Sequence, residues 1–175
     1  ESEVRCNALD VDGREVLAYV AHDVSLRKKV EQQLIENQSR LDRMAHHDQL
    51  TGLPNRHYLT AFLPEAITEA HAAGTMLGVV FLDLDLFKHI NDTRGHETGD
   101  KLLQEVAGRL RAVVRDADVV IRMGGDEFVV VFRNVKSHDE VTLGAGRIIE
   151  TLNQPIVIDR HPLQTTGSVG VSLFP

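Results

Sequence analysis

The pattern of apolar and polar positions divides the chain into two stretches. Near the amino end, Ala8–Leu9–Asp10–Val11–Asp12–Gly13 and Val16–Leu17–Ala18–Tyr19–Val20 read as two short strands around an Asp-Gly turn. From Leu26 to Ala45 neither Gly nor Pro occurs, and Lys, Glu, Gln, Leu and Arg predominate, all good helix formers. Within that run Val30, Leu34, Asn37, Leu41 and Met44 recur at alternating spacings of four and three, a heptad seam. The seam fits a surface helix packed on its own domain. It equally fits a signalling helix paired with its copy, where Asn37 would fix register.

The second stretch starts near His46. Leu59, Phe62, Leu63, Ala66, Ile67 and Ala70 mark one helical face, which Pro64 is expected to break or start and Gly74 to end. Met76–Asp83 is almost wholly apolar, as in a strand buried on both faces. A short helix is expected over Leu86–Asn91. A longer one from about Thr98 carries Leu102, Leu103, Val106, Ala107, Leu110 and Val114 inward. Val119–Met123 and Glu127–Phe132 read as strands joined through Gly124–Gly125, a hairpin signal. Val141, Ala145, Ile148, Ile149 and Leu152 predict a further helix, weakened by Gly144 and Gly146. Pro155–Ile158, Leu163–Thr166 and Ser168–Phe174 read as closing strands. The predicted class is α+β, with a mixed, largely antiparallel central sheet flanked by helices and preceded by a linker helix.

Composition narrows the chemistry. The 175 residues carry 19 Lys+Arg and 26 Asp+Glu, a net charge of −7, and no dense basic patch, so neither DNA nor RNA is an expected partner. An acidic protein that binds phosphates needs a metal ion or a local set of donors. The single cysteine, Cys6, excludes an internal disulfide framework. No apolar run reaches the ~20 residues of a membrane helix, and no leader pattern opens the chain. A cytoplasmic location is expected, compatible with a membrane-tethered parent. The chain opens at Glu1 without Met and stops after a strand-like run, so a longer parent is expected.

Three clusters fall at element ends, where function concentrates. Asp83–Leu84–Asp85–Leu86–Phe87–Lys88 closes the buried strand, and alternation would place Asp83 and Asp85 on one face. Carboxylates ending an apolar run need a cation or donors, and Mg²⁺ takes one or two carboxylates plus substrate phosphates. The helix opening at Phe87–Lys88 offers free N–H groups and a point charge to a phosphate; a strand-end Asp capping that helix is the bland alternative. A calcium loop fits poorly. Asn91 and Asp100 form the second cluster. An amide and a carboxylate match the donors and acceptor of a guanine edge, although such residues also serve as turn and cap residues. The third is Arg122–Met123–Gly124–Gly125–Asp126–Glu127–Phe128. Its glycines permit close backbone approach, and strand alternation would send Asp126 and Glu127 to opposite faces.

Gly124–Phe128 spells GGDEF, a pentamer that chance would give in about one chain in ten thousand of this length. Asp48–Arg56 reads D-Q-L-T-G-L-P-N-R, Asp83–Lys88 with Ile90–Asp92 reads D-L-D-L-F-K…I-N-D, and Gly95–His96 with Gly99–Asp100 reads G-H…G-D. Residues 46–175 thereby resemble the GGDEF family of diguanylate cyclases in the order and spacing of every motif.

That resemblance implies a fold similar to nucleotidyl cyclases and polymerase palms, and condensation of two GTP into cyclic di-GMP with release of two pyrophosphates. It implies that Asp83, the Leu84 carbonyl and Asp126 hold Mg²⁺, with Mn²⁺ as a substitute. Asn91 and Asp100 would read guanine, and Lys88 with the N–H groups near Phe87 would contact phosphate. Arg122 is grouped with these substrate-binding residues. Asp126 or Glu127 is implicated as the base, with Lys88 beside them in the catalytic set. One domain binds one GTP, so catalysis implies a face-to-face homodimer. Arg115–Asp116–Ala117–Asp118 matches the family's product-inhibition motif, which assigns Arg115 and Asp118 to cyclic di-GMP. Residues 1–25 resemble, more weakly, the end of a PAS sensor domain, and 26–45 a signalling linker. The family continues past a strand like Ser168–Phe174 into a helix bearing Lys and Arg, so 46–175 is expected to be truncated before that helix. Leu152–Ile156 looks like versions that precede an EAL phosphodiesterase domain, and in many such tandem proteins the GGDEF part regulates its neighbour. His46 and His47 match no ligand position and are read as structural.

Overall fold

In the computed structural model, the backbone is described for residues 2–11, 14–23 and 25–175, and side chains for residue 8 and residues 28–175. The chain divides into two compact units, Glu1–Arg43 and Met44–Pro175. In the first, β1 (Ser2–Val11) pairs antiparallel with β2 (Arg14–Asp23), in register from Ser2↔Asp23 to Val11↔Arg14. The expected Asp12–Gly13 turn, Val24 and the Cys6 side chain lie outside the described residues. Helix α1 (Ser25–His46) follows, one residue longer at each end than its pattern predicts. Its seam residues Val30, Leu34, Leu41 and Met44 are all more than half exposed.

The second unit is built on a four-stranded antiparallel sheet. β3 (Met76–Leu84) and β5 (Glu127–Val135) lie at its centre, β4 (Val119–Gly124) and β8 (Gly167–Phe174) at its edges, in the order β4-β5-β3-β8. Five consecutive residues of β5, Phe128–Phe132, are buried, because helices cover both faces of the sheet there. On one face α2 (Arg56–Ala73) lays Leu59, Ala66 and Ala70 against Leu77, Ile121, Val129 and Val131. On the other, α3 (Phe87–Arg94), α4 (His96–Val113) and α5 (His138–Leu152) pack on Val80, Leu82, Val120, Phe128 and Val130. Each such aliphatic or aromatic side chain contributes about 1.5–3 kcal/mol of burial. A small hairpin, β6 (Ile156–Ile158) and β7 (His161–Leu163), joins α5 to β8. Among the described residues no helix is long and apolar enough to cross a membrane.

Several boundaries differ from the pattern-based expectation for identifiable reasons. Pro64 neither breaks nor starts a helix: α2 runs through it, held by the apolar face on both sides of the proline and capped by Asn55. Residues 164–166 are not a strand. Thr165, 3 % exposed, instead turns inward and donates to the Asp85 carbonyl. Gly144 does not merely weaken α5, since a Cβ there would lie 2.6 Å from the Phe132 ring; the glycine lets α5 close onto β5. Asp85 falls beyond the end of β3, so strand alternation does not orient it.

The passage from β3 to α3 is strained. Leu86 precedes α3 in the left-handed region at φ 61°, with its side chain 70 % exposed. A branched residue there costs about 1–2 kcal/mol, and exposure returns little burial. Leu86→Asn is expected to raise the unfolding free energy of the protein by about 0.5–1 kcal/mol in a urea titration. A lowered midpoint would show that the Leu86 side chain has a packing role.

Candidate functional site

The antiparallel register of β3 and β5 determines where the acidic residues meet. Asp83, the last but one residue of β3, pairs across the sheet with Glu127, the first residue of β5. The two-residue loop Gly125–Asp126 closes the β4–β5 hairpin, and the Leu84 N–H donates to the Asp126 carbonyl (3.3 Å), fastening the turn to the strand end. Gly124 and Gly125 both take positive φ, 132° and 55°, which accounts for glycine at these two positions. A register shift between Arg122 and Gly124 tightens the bend.

This register crowds like charges. Partial burial, then repulsion from Asp126, Glu127 and Asp85, pushes the Asp83 carboxyl above the ordinary aspartate range. Asp126 lies in the turn rather than in the strand, so strand alternation does not orient it, while Glu127 lines the cleft with Asp83. Asp85 is engaged differently. Hydrogen bonds from the Thr166 (2.6 Å) and Ser168 (2.9 Å) hydroxyls hold its carboxyl below the usual range. Its N–H donates to the Thr166 carbonyl, binding the end of β3 to the start of β8. Asp83 and Glu127 line a cleft of about 420 Å³ together with Arg56, Phe81, Met123 and Ser168.

Among the described residues no group of three or more His, Cys, Asp or Glu side chains is gathered as a metal cage. The donor set present is smaller and suits a hard divalent cation: Asp83 and Asp126 with the adjoining Leu84 carbonyl, the carboxylates crowded enough to repel one another. Mg²⁺ binds through one or two carboxylates and completes its shell from water and phosphate, and these residues fit it.

Asn91 and Gly99 define a second locus. The Asn91 Oδ1 atom is buried and without a hydrogen-bond partner. It lies so close to α4 that a Cβ on Gly99 would come within 1.9 Å of it. Gly99 therefore keeps the room Asn91 needs. Asp100 follows on α4, exposed. Lys88 is exposed in the first turn of α3, whose N-terminus no side chain caps, while the Phe87 ring is buried beneath it. Lys88, Asn91 and Asp100 do not line the cleft that holds Asp83 and Glu127.

Arg122 is placed differently from the other residues grouped with it. It is 9 % exposed. Its Nη1 donates to Asp48 Oδ1 (2.8 Å), and Nε and Nη2 donate to the Gly125 carbonyl (3.2 and 2.8 Å). Its guanidinium faces the protein's own turn. Asp48 also accepts from the Thr51 N–H and hydroxyl. Burial pushes the Asp48 carboxyl up, but these bonds and the Arg122 charge outweigh it and hold the carboxyl below its ordinary value.

The pair Arg115 and Asp118 lies between α4 and β4. Both Asp118 oxygens accept backbone N–H groups, from Arg115 (3.1 Å) and Arg133 (3.1 Å). The Arg115 guanidinium is exposed and lies 3.6 Å from Glu140. Both residues line a hollow of about 250 Å³ with Pro54, Arg111 and Asp116. His46 and His57 meet ring to ring at 5.4 Å.

Sequence reasoning missed the bonds around Asp48, Arg122 and Gly125, and the Thr166 and Ser168 hydroxyls on Asp85. Asp48-x-x-Thr51 has the spacing of a side-chain turn, but nothing local announces partners that lie far along the chain.

Comparison with known proteins agrees with this geometry. Residues 45–175 match the family model described as diguanylate cyclase, GGDEF domain. The chain is 43 % identical over 143 residues to the cyclic di-GMP phosphodiesterase NbdA of Pseudomonas aeruginosa, covering 82 % of this chain and 18 % of the relative. It is 44 % identical over 135 residues to the bifunctional diguanylate cyclase/cyclic di-GMP phosphodiesterase MucR of the same organism, covering 77 % and 20 %. The chain thus spans about a fifth of the length of these relatives. The crystal structure of the coiled coil and GGDEF domain of DgcB from Caulobacter crescentus, in complex with cyclic di-GMP, superposes with a TM-score of 0.78 at 27 % identity, covering 87 % of this chain and 81 % of that one. With an antiparallel α+β core and the family model matched over residues 45–175, the chain belongs to the GGDEF domain family.

Proposed function

We propose that this chain is the catalytic module of a diguanylate cyclase, condensing two GTP into cyclic di-GMP and two pyrophosphates. The observation that carries the reading is the crowding of Asp83 by Asp126 and Glu127 at the mouth of a cleft. Such crowding is costly unless a cation and phosphates are the intended occupants.

Asp83, Asp126 and the Leu84 carbonyl would hold Mg²⁺, or Mn²⁺ in its place. When bound, the ion supplies neutralisation of the charge that develops on the α-phosphate. Asn91, with its unpartnered buried Oδ1, and Asp100 on the adjoining helix would read the guanine edge. A base that cannot pair those groups leaves them unsatisfied, which is the source of discrimination. The uncapped first turn of α3, at Phe87 and Lys88, would receive phosphate oxygens. Asp126 or Glu127 would take the proton of a ribose 3′-hydroxyl. The product contains two nucleotides, so two copies must meet face to face, with the α1 seam as a means of pairing them. Residues 1–25 would be the end of a PAS-like sensor, and an EAL domain would follow in the parent.

Arg115 would bind cyclic di-GMP as product inhibitor. Asp118, with both oxygens on backbone N–H groups, shapes the loop that presents it. A second reading is favoured by one relative: NbdA, at 43 % identity, is named only as a phosphodiesterase. On that reading the domain binds GTP or cyclic di-GMP and regulates a neighbouring domain.

Two measurements test these assignments. In the full-length parent, conversion of GTP to cyclic di-GMP is expected, falling about 100-fold or more in Asp126→Ala. Nucleotide binding without turnover in the unaltered protein selects the regulatory reading. Calorimetry with cyclic di-GMP is expected to lose most of its heat in Arg115→Ala; an unchanged affinity refutes that site.

A further inference from the structure

The geometry points to Arg122 as the positioning residue of the acidic turn. This inference rests on the reading of Asp126 as a metal-holding carboxylate, but concerns how the chain holds that carboxylate in place. Gly124 and Gly125 give the turn its shape and also make it the softest backbone in the site. The hairpin is fastened to β3 by the bond from the Leu84 N–H to the Asp126 carbonyl (3.3 Å), but its two glycines leave the direction of Asp126 loosely set. The carboxylates around it push outward, since Asp83, Asp126 and Glu127 repel one another. An opposing tether is therefore required.

Arg122 supplies it. Two of its three guanidinium nitrogens donate to one acceptor, the carbonyl of Gly125, the residue before Asp126. The planar fork suits such a double contact, and a lysine ammonium cannot reproduce it. The third nitrogen is anchored on Asp48, which the Thr51 N–H and hydroxyl hold in turn. The backbone is anchored as well: the Arg122 N–H donates to the Pro54 carbonyl (2.9 Å), and Asn55 bridges to Arg122. Asn55 itself caps α2 through Tyr58 and donates its Nδ2 to the Ala45 carbonyl (2.8 Å). The turn is thus tied to a part-buried charge pair between Arg122 and Asp48. These bonds are charge-assisted and partly removed from water, which strengthens them.

The Leu84 amide is a reporter of the turn, because its acceptor is the Asp126 carbonyl. Amide hydrogen exchange, followed residue by residue by NMR on the chain of residues 1–175, tests the assignment without nucleotide. In Arg122→Lys the Leu84 amide is expected to exchange about tenfold faster, with Val129–Val131 within twofold of the parent chain. Asp48→Asn, which keeps the side-chain shape, is expected to move the same amide in the same direction by less. An unchanged Leu84 amide in both variants overturns the proposal. So does an equal acceleration throughout the sheet, which would mark Arg122 as a stability residue only. A Mn²⁺ titration in the presence of GTP runs alongside: Arg122→Lys is expected to weaken the ion about tenfold. If the parent chain binds neither GTP nor the ion, the cyclase reading falls while the exchange result still decides the role of Arg122.

Discussion

Several like charges are held together at one end of a buried antiparallel strand pair, and the rest of the second unit can be understood as the means of keeping them there. Left alone, Asp83, Asp126 and Glu127 would separate. They stay together because β3 and β5 pair in one continuous register from Gly78↔Phe132 to Asp83↔Glu127, with β5 buried on both faces from Phe128 to Phe132. A slip of one residue would exchange the two faces of that strand. Hydrophobic burial therefore sets the electrostatics. Like-charge proximity raises the Asp83 carboxyl, and a divalent cation is the ligand class that relieves it.

Around this centre the polar groups divide into those left open to solvent and those bonded to the protein. Asp85 and Arg122 belong to the second group despite their places in the motifs. Asp85 takes two hydroxyls from the start of β8 and closes the sheet edge beside Asp83. Arg122 joins Asp48 to the Gly125 carbonyl. Asp48 stays ionised below the usual aspartate range, so that pair weakens only in acid, when pH falls through its lowered value. Asp83 behaves oppositely: its raised carboxyl begins to take up protons at a higher pH than an ordinary aspartate.

Much of this was legible in the sequence, for particular reasons. The apolar run of β3 and the Gly-Gly hairpin both carry short-range signals, and they place two of the three clusters at the same sheet end. Asn91 and Asp100 stand out by residue type and by resemblance, and the structure shows the Asn91 Oδ1 buried without a partner and Asp100 exposed. Bonds that join distant segments were not legible. Arg122 looks like a free cation at the head of a motif, and only the fold brings Asp48 to it, whereas Gly125 lies three residues on in the same hairpin. Pro64 misled for the converse reason: its local cost is real, yet Leu59, Ala66 and Ala70 on either side hold α2 together. The role of Gly144 shows only when the Phe132 ring lies against it.

The most direct test of the carboxylate centre is calorimetric titration of GTP, with and without Mg²⁺, into the parent chain and into Asp83→Asn. Mg²⁺ is expected to tighten GTP about tenfold or more in the parent chain, equivalent to about 1.4 kcal/mol, and to have no such effect in the variant. An equal response to Mg²⁺ in both proteins would contradict the assignment of Asp83 to the cation.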